Sequence, residues 1–259
     1  FFRVLFSLPG TDFVFSPDTF SAALPALLAA KLAGKKLIIR TGGDFLWERY
    51  VERTGDLILL HNFYQERVFR FNLNSIFRLN LKERGIFRLV RFLFRHADAV
   101  IFSTKWQRAL FVKPYGLNMQ KCFIVENHYG AREQQVYSDV LENIRIKKEK
   151  VFVGGVRDLK WKNMPRLMQA FEKVQSKRLP VQLQWETGSR GQFLLDIQSS
   201  YAVILASLGD VSPNTILEAI SLGKPFILTR ETGLYEKLKD IGVWVDPENV
   251  EDIAAKIEW

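Results

Sequence analysis

Nine short apolar runs alternate with longer segments of helical periodicity along this chain. That alternation restricts the fold more than any other feature. The runs are DFVFS (12–16), KLIIR (36–40), AVIFS (99–103), CFIVE (122–126), VFVGG (151–155), VQLQW (181–185), YAVILA (201–206), PFILT (225–229) and GVWVD (242–246). Most are near-continuous apolar stretches, the pattern of strands buried on both faces. Helices are expected between them at 19–33, 84–97, 104–114, 164–177, 191–199, 213–222, 232–239 and 248–257. This order predicts an α/β architecture with parallel sheets. The polar stretch 127–150 has no clear β run and reads as a break between two doubly wound halves. Ligands of such sheets bind outside the carboxyl ends of the strands, and two halves can turn those ends toward each other across a cleft.

Charge divides the chain at the same place. Residues 1–150 hold 24 Lys/Arg against 14 Asp/Glu, whereas 151–259 hold 13 against 14, so the net +9 lies entirely in the first part. Regions so different in charge are expected to meet different partners. The segment 67–96 concentrates the excess, with eight basic residues against the single acid Glu83. Within it Arg84, Arg88, Arg91 and Arg95 fall on one stripe of a helix. Such a stripe is either a solvated face, a surface for anionic lipid at about 1 kcal/mol per basic residue, or a nucleic-acid contact. The interleaved aromatics read as buried rather than displayed for base stacking, which disfavours nucleic acid.

Other features exclude whole classes. The single Cys122 rules out an internal disulfide and a Cys-x-x-Cys metal pair, in keeping with a reducing, cytoplasmic-side setting. No apolar run reaches the roughly 18 residues of a membrane span. FSAALPALLAAKLAG is shorter, is interrupted by Pro25 and Lys31, and reads as a buried helix. No signal peptide is visible, and the chain opens FFRVLF without a Met, so the natural N-terminus is expected further upstream. His61, His96 and His128 lack ligand spacing, and neither Asp-x-Asp nor Gly-x-Ser-x-Gly occurs. No metal and no esterase-type nucleophile is therefore expected.

Three loops at strand ends carry candidate chemistry. In GDVSPNTILEAISLGKP (209–225), Asp210 lies past the strand YAVILA, Ser212 suits an N-cap, Pro213 suits the first helical turn and Gly223 ends the helix. The helix start offers free N–H groups to a phosphate, and Glu218 lies about one and a half turns inside, within reach of a neighbouring hydroxyl. The plainer alternative is a solvated helix acid and a loop acid. In GGVRDLKWKNMPRLMQAF (154–171), Arg157 and Lys162 either neutralise a diphosphate or form a solvated basic loop. In IIRTGGDFLWERY (38–50), Gly42 and Gly43 permit close backbone approach. Asp44 then binds a sugar hydroxyl, acts as a base, or caps a helix.

Taken together these stretches resemble the family 4 (group 1) retaining glycosyltransferases of the GT-B fold, with two Rossmann-like domains. The resemblance is strongest over 201–257, where a strand, an acidic loop, ILEA…GKP, a Gly-containing loop, GVWVD and a closing helix follow in the family's order. It extends to VFVGGVRDLKWKNMPRLMQAF, to AVIFSTKWQRALFVKPYGLNMQKCFIVEN and, loosely, to RTGGDFLWERY. The family's extreme N- and C-terminal segments have no counterpart. The resemblance implies an acceptor-side domain over 1–130, a linker over 131–150 and a nucleotide-sugar domain over 151–259. It implies a catalytic set of Asp210, Arg157 and Lys162. Asp210 contacts the transferred sugar, as an aspartate where the family usually has glutamate. The basic pair takes the place of a metal on the leaving diphosphate. Glu218 binds the donor ribose, and the backbone of Asn214, Thr215 and Ile216 cradles the diphosphate. Gly42, Gly43 and Asp44 fall on the acceptor side. The implied activity is metal-independent, retaining transfer of a sugar from a nucleotide diphospho-sugar to a glycan or lipid-linked acceptor. With Arg84, Arg88, Arg91 and Arg95 on a membrane, the implied setting is cytoplasmic and peripheral. A nucleotide-sugar epimerase and a non-catalytic binder of the same fold are the competing readings.

Overall fold

A computed structural model describes residues 1–68, 79–128, 149–155, 159–185 and 188–258. The chain divides into two compact units, Phe1–Asp56 with Leu60–Glu126, and Leu57–Leu59 with Asn127–Trp259. The expected linker 131–150 falls almost wholly outside the described residues.

In the first unit the strands β1 (Phe13–Ser16), β2 (Lys36–Arg40), β3 (Ala99–Phe102) and β4 (Cys122–Ile124) pair in parallel, in the order 1-2-3-4. Its helices include α1 (Phe2–Phe6), α2 (Ala23–Leu32), α3 (Phe45–Thr54), α4 (Leu81–His96) and α5 (Lys105–Tyr115). In the second unit β5 (Lys150–Val153), β6 (Val181–Gln184), β7 (Ala202–Leu205), β8 (Phe226–Thr229) and β9 (Val243–Val245) are again all parallel. Their order is 6-5-7-8-9. The helices here are α6 (Met164–Ser176), α7 (Arg190–Ser199), α8 (Asn214–Ser221), α9 (Tyr235–Leu238) and α10 (Val250–Glu258). All nine expected strands form within two residues of their predicted ends.

The physical reason is plain in β7 and β8, where every residue is buried. Ala202 and Ile204 face a core built with Leu167, Phe171, Ile253 and Ile257. Val203 and Leu205 face the opposite core with Ile197, Ile216 and Leu234. Helices cover both faces, so both sets of side chains must be apolar. In the edge strand β6, VQLQ, only Val181 is buried, Gln182 is exposed and the last two residues are part-buried.

Helix ends account for most departures from expectation. Helix α4 begins at Leu81, three residues before its expected start, because Asn80 and Glu83 form a reciprocal capping box there. The Glu83 side chain is fully buried and also takes both arms of Arg53, at 2.6 and 2.8 Å. Helix α9 is shorter than expected, since Gly233 N–H is drawn to the Asp210 carbonyl at 3.2 Å and Leu234 N–H to the Thr232 hydroxyl at 3.3 Å. Among the described residues no helix is long and apolar enough to cross a membrane.

Candidate functional site

The strand order of the second unit fixes where a ligand would bind. Strand β5 is flanked by β6 on one side and β7 on the other, so successive connections leave β5 and β7 in opposite directions. A crevice opens at the carboxyl ends of such a pair. The loops leaving β5 and β7 carry Lys162 and Asp210, and they are fastened together. Leu208 N–H donates to the Trp161 carbonyl at 2.9 Å. Lys162 Nζ donates to Asp210 Oδ2 at 2.8 Å and lies 4.2 Å from the Trp161 ring centroid. The Ser207 hydroxyl adds a second contact to Asp210 Oδ2 at 3.3 Å. On its other side Asp210 is pinned to the loop after β8, with its N–H on the Glu231 carbonyl at 2.8 Å. Both side chains of the ion pair are mostly covered, at 16% and 13% exposure.

Helix α8 follows directly. The expected Ser212 cap does not form. Pro213 is the N-cap residue, with extended ψ of 112°, and no side chain caps the helix. The proline ring fixes φ near −66° but leaves ψ free, so the helix starts one residue later, at Asn214. The N–H groups of Asn214 and Thr215 therefore head the helix, where no intrahelical acceptor exists for them. Asn127, just past β4, reaches this helix start. Its Nδ2 donates to Asn214 Oδ1 at 3.0 Å and to the Ser212 carbonyl at 3.4 Å. Ile216 is fully buried, so its side chain anchors the helix, and its N–H is taken by the Pro213 carbonyl at 3.1 Å, which leaves the Asn214 and Thr215 N–H groups for a ligand.

Glu218 is 2% exposed. Its Oε1 accepts from Arg190 Nη2 at 2.6 Å, and the Arg190 side chain is itself 58% exposed. Arg190 is the first residue of α7, whose N-cap is Ser189. Lys162, Asp210, Asn214 and Glu218 thus come from two loops and one helix around the ends of β5 and β7. Arg157 lies outside the described residues.

In the first unit Gly42 and Gly43 are exposed after β2. Gln107 holds this loop, donating from Nε2 to the Gly42 carbonyl at 2.5 Å. A side chain at Gly43 would meet Glu48 Oε1 at 2.5 Å. Asp44 is buried and is the N-cap of α3, accepting from Trp47 N–H at 3.0 Å. Its other oxygen, Oδ2, has no hydrogen-bond partner. Burial pushes the Asp44 carboxyl up to about 6, against the smaller lowering by the Trp47 N–H and the facing Tyr64 hydroxyl. Of the arginine stripe, Arg88, Arg91 and Arg95 are exposed. Arg84 turns back, its Nε donating to the Leu79 carbonyl at 3.0 Å. No group of three His, Cys, Asp or Glu among the described residues is placed to hold a metal.

Trp161, Ser207, Arg190 and Asn127 had no sequence signal that tied them to the site. Arg190 is 28 residues from Glu218, and no spacing rule links the two. Only the strand order brings α7 beside α8.

No protein-family model matches the chain, and no curated protein does. Solved structures do match. The Anabaena protein HepE in complex with UDP-glucose superposes with a TM-score of 0.68 at 14% identity, over 99% of this chain and 70% of that one. A glycosyltransferase from Rickettsia africae gives a TM-score of 0.63 at 14% identity, over 99% of this chain and 68% of that one. Sucrose-phosphate synthase from Thermosynechococcus elongatus gives 0.68 at 12% identity, over 99% and 66%. The chain therefore has the GT-B fold, with two mainly parallel α/β units. It spans about two thirds of the length of these structures.

Proposed function

We propose that this chain is a glycosyltransferase that draws a sugar from a nucleotide diphospho-sugar and passes it, with retention of configuration, to a glycan or lipid-linked acceptor. In this reading residues 151–259 hold the donor and residues 1–130 the acceptor, joined by 131–150. The observation that carries it is the Lys162–Asp210 pair beside the start of α8, at the strand-order reversal of the second sheet.

The chemistry follows from that placement. A diphosphate seated on the N–H groups of Asn214 and Thr215, with the Ile216 N–H turned to the Pro213 carbonyl, meets the positive end of the helix. Lys162 and Arg157 then stabilise the charge that builds on the leaving diphosphate, the role a cation plays wherever charge develops in a transition state. Asp210, held by Lys162 and the Ser207 hydroxyl, faces the sugar being transferred. Glu218 takes the donor ribose, while Gly42, Gly43 and Asp44 lie toward the acceptor. The exposed arginines of α4 fit an acceptor at an anionic membrane surface. HepE was solved with UDP-glucose, which makes UDP-sugars the first donors to test.

The test is a thermal-shift screen against nucleotide diphospho-sugars on wild type, Glu218→Ala and Lys162→Ala, followed by a transfer assay with the best donor. A donor that stabilises wild type and neither variant supports the reading. A donor converted to its epimer without acceptor makes the chain an epimerase. Tight donor binding with no turnover makes it a binder.

A further inference from the structure

Three loops leave the carboxyl ends of β1, β2 and β3, which are neighbours in the first sheet, so the loops share one edge. The first loop is built around Asp18. Its carboxylate accepts from the Phe20 N–H at 2.8 Å, the Ser21 hydroxyl at 2.5 Å and the Ala22 N–H at 2.8 Å. Its carbonyl takes the Ser16 hydroxyl at 2.8 Å. These bonds fix the backbone that carries Phe20. The second loop is held from the third by Gln107, which accepts from the Ser103 N–H and donates to the Gly42 carbonyl. Asp44 then caps α3, whose first residue is Phe45. Phe45 stacks on Phe20, with ring centroids 5.6 Å apart and planes 26° apart. Phe45 nevertheless remains 46% exposed. Two hydrogen-bonded loops thus hold an aromatic pair still while leaving much of one ring open.

A carboxylate stands beside this ring. Phe45 and Glu48 are three apart on α3, so they are neighbours on its surface. A Cβ at Gly43 would fall 2.5 Å from Glu48 Oε1, so the carboxylate lies directly against the glycine backbone. Over Gly42 the space is open, with nothing within 4 Å of where a Cβ would stand. Ligand sites of this kind pair aromatic surface with a few placed polar groups. Here the match is a pyranose ring. Its C–H face packs on an aromatic ring, its hydroxyls donate to a carboxylate, and glycine lets it approach the backbone. A phosphate or a sugar acid would instead meet Glu48 as a like charge.

We propose that the Phe20–Phe45 stack and Glu48 seat an uncharged sugar ring, and that the acceptor is a glycan ending in such a ring. The proposal rests on the glycosyltransferase reading, whose acceptor it names. It is tested by saturation-transfer NMR titrations of the whole chain. The probes are the methyl glycosides of glucose, galactose, mannose and N-acetylglucosamine and the matching disaccharides, with glucose 6-phosphate and glucuronate as charged counterparts. At least one neutral sugar should bind, and more tightly than the charged ones. Phe45→Ala should weaken that binding roughly fivefold, the worth of one aromatic contact, and Phe45→Trp should keep it. Glu48→Gln should weaken it about fivefold, as expected when a charged acceptor becomes neutral. Phe13→Ala removes an exposed ring at the opposite end of β1 and should change nothing. Phe45 and Phe13 are both exposed, so circular dichroism should show intact folds. In transfer assays Phe45→Ala should raise the KM of the acceptor and not that of the donor. No binding of any neutral sugar, preference for the charged ones, or equal loss in Phe13→Ala overturns the proposal. Sugar binding that needs Phe45, with no nucleotide diphospho-sugar raising the melting temperature, upholds the platform and defeats the transfer reading. Stabilisation by a donor with no neutral sugar bound does the reverse.

Discussion

Lys162 and Asp210 stand 48 positions apart in the chain and meet at 2.8 Å, joining the loops that leave β5 and β7. A cation held by one carboxylate oxygen keeps its remaining donors for a second anion. Lys162→Ala should therefore lower transfer or donor hydrolysis by about 10²–10³, the usual cost of one group that stabilises developing charge. Stability should fall as well, by about 1–3 kcal/mol, since the mostly covered Asp210 carboxylate is left without its cation. Steady-state rates and urea unfolding on the same preparations separate the two effects. A rate close to wild type would remove Lys162 from the chemistry.

The Arg190–Glu218 bond makes a different prediction, because the ribose it would serve is remote from the bond being broken. Arg190→Ala should raise the donor KM several-fold with kcat nearly held, the signature of lost uniform binding. Arg190→Lys should recover part of it. Removing the guanidinium also takes a cation from the buried Glu218 carboxylate, so stability should fall by about 1–3 kcal/mol. Equal losses in kcat and kcat/KM would instead place Arg190 in the transition state.

How much of this was legible beforehand depends on how local each cause is. Strands such as AVIL and FILT declare themselves because both faces are buried, so every residue is apolar. The neighbourhood of Asp210 and Glu218 was legible as one short stretch after a strand. The contact between Lys162 and Asp210 was not, because it depends on β5 and β7 being neighbours in the sheet. The same holds for Arg190. Nor could sequence decide the state of Asp44. The residue type allowed a cap, a base or a ligand, and the Tyr64 hydroxyl that faces it lies 20 residues further on. The Ser212 cap fails because the extended ψ of Pro213 keeps the proline outside the helix, a choice that its fixed φ does not reveal.

Asn163 gives a stability prediction next to the site. It is fully buried in the left-handed region, with φ of 62°. Its Nδ2 donates to the Ala206 carbonyl at 2.9 Å and to the Pro247 carbonyl at 2.7 Å, tying the exit of β7 to that of β9. Asparagine tolerates positive φ better than other residues with a Cβ. Asn163→Ala should lose about 2–4 kcal/mol, from two buried acceptors left without their donor and from backbone strain. Asn163→Gly should recover only the strain. Urea midpoints for the two variants check this, and equal stabilities would mean that strain plays no part.

Asp44 ties stability to pH. Its carboxyl is raised from an ordinary 3.8 to about 6, chiefly by burial. The folded state thus holds a proton that the unfolded chain releases. This group's contribution is fully present below about pH 4 and is lost as pH rises through about 6. The loss is about 3 kcal/mol for a shift of this size. Asp44→Asn keeps an oxygen for the Trp47 N–H and carries no charge. The difference in unfolding free energy, variant minus wild type, should rise between about pH 4 and 6 and stay flat above. Other carboxylates titrate in both proteins and cancel in that difference. On the acceptor-side reading the same variant should also lose transfer activity, a gain in stability set against a loss of function. Parallel unfolding curves for the two proteins across this range would show that Asp44 is ionised and compensated in the fold.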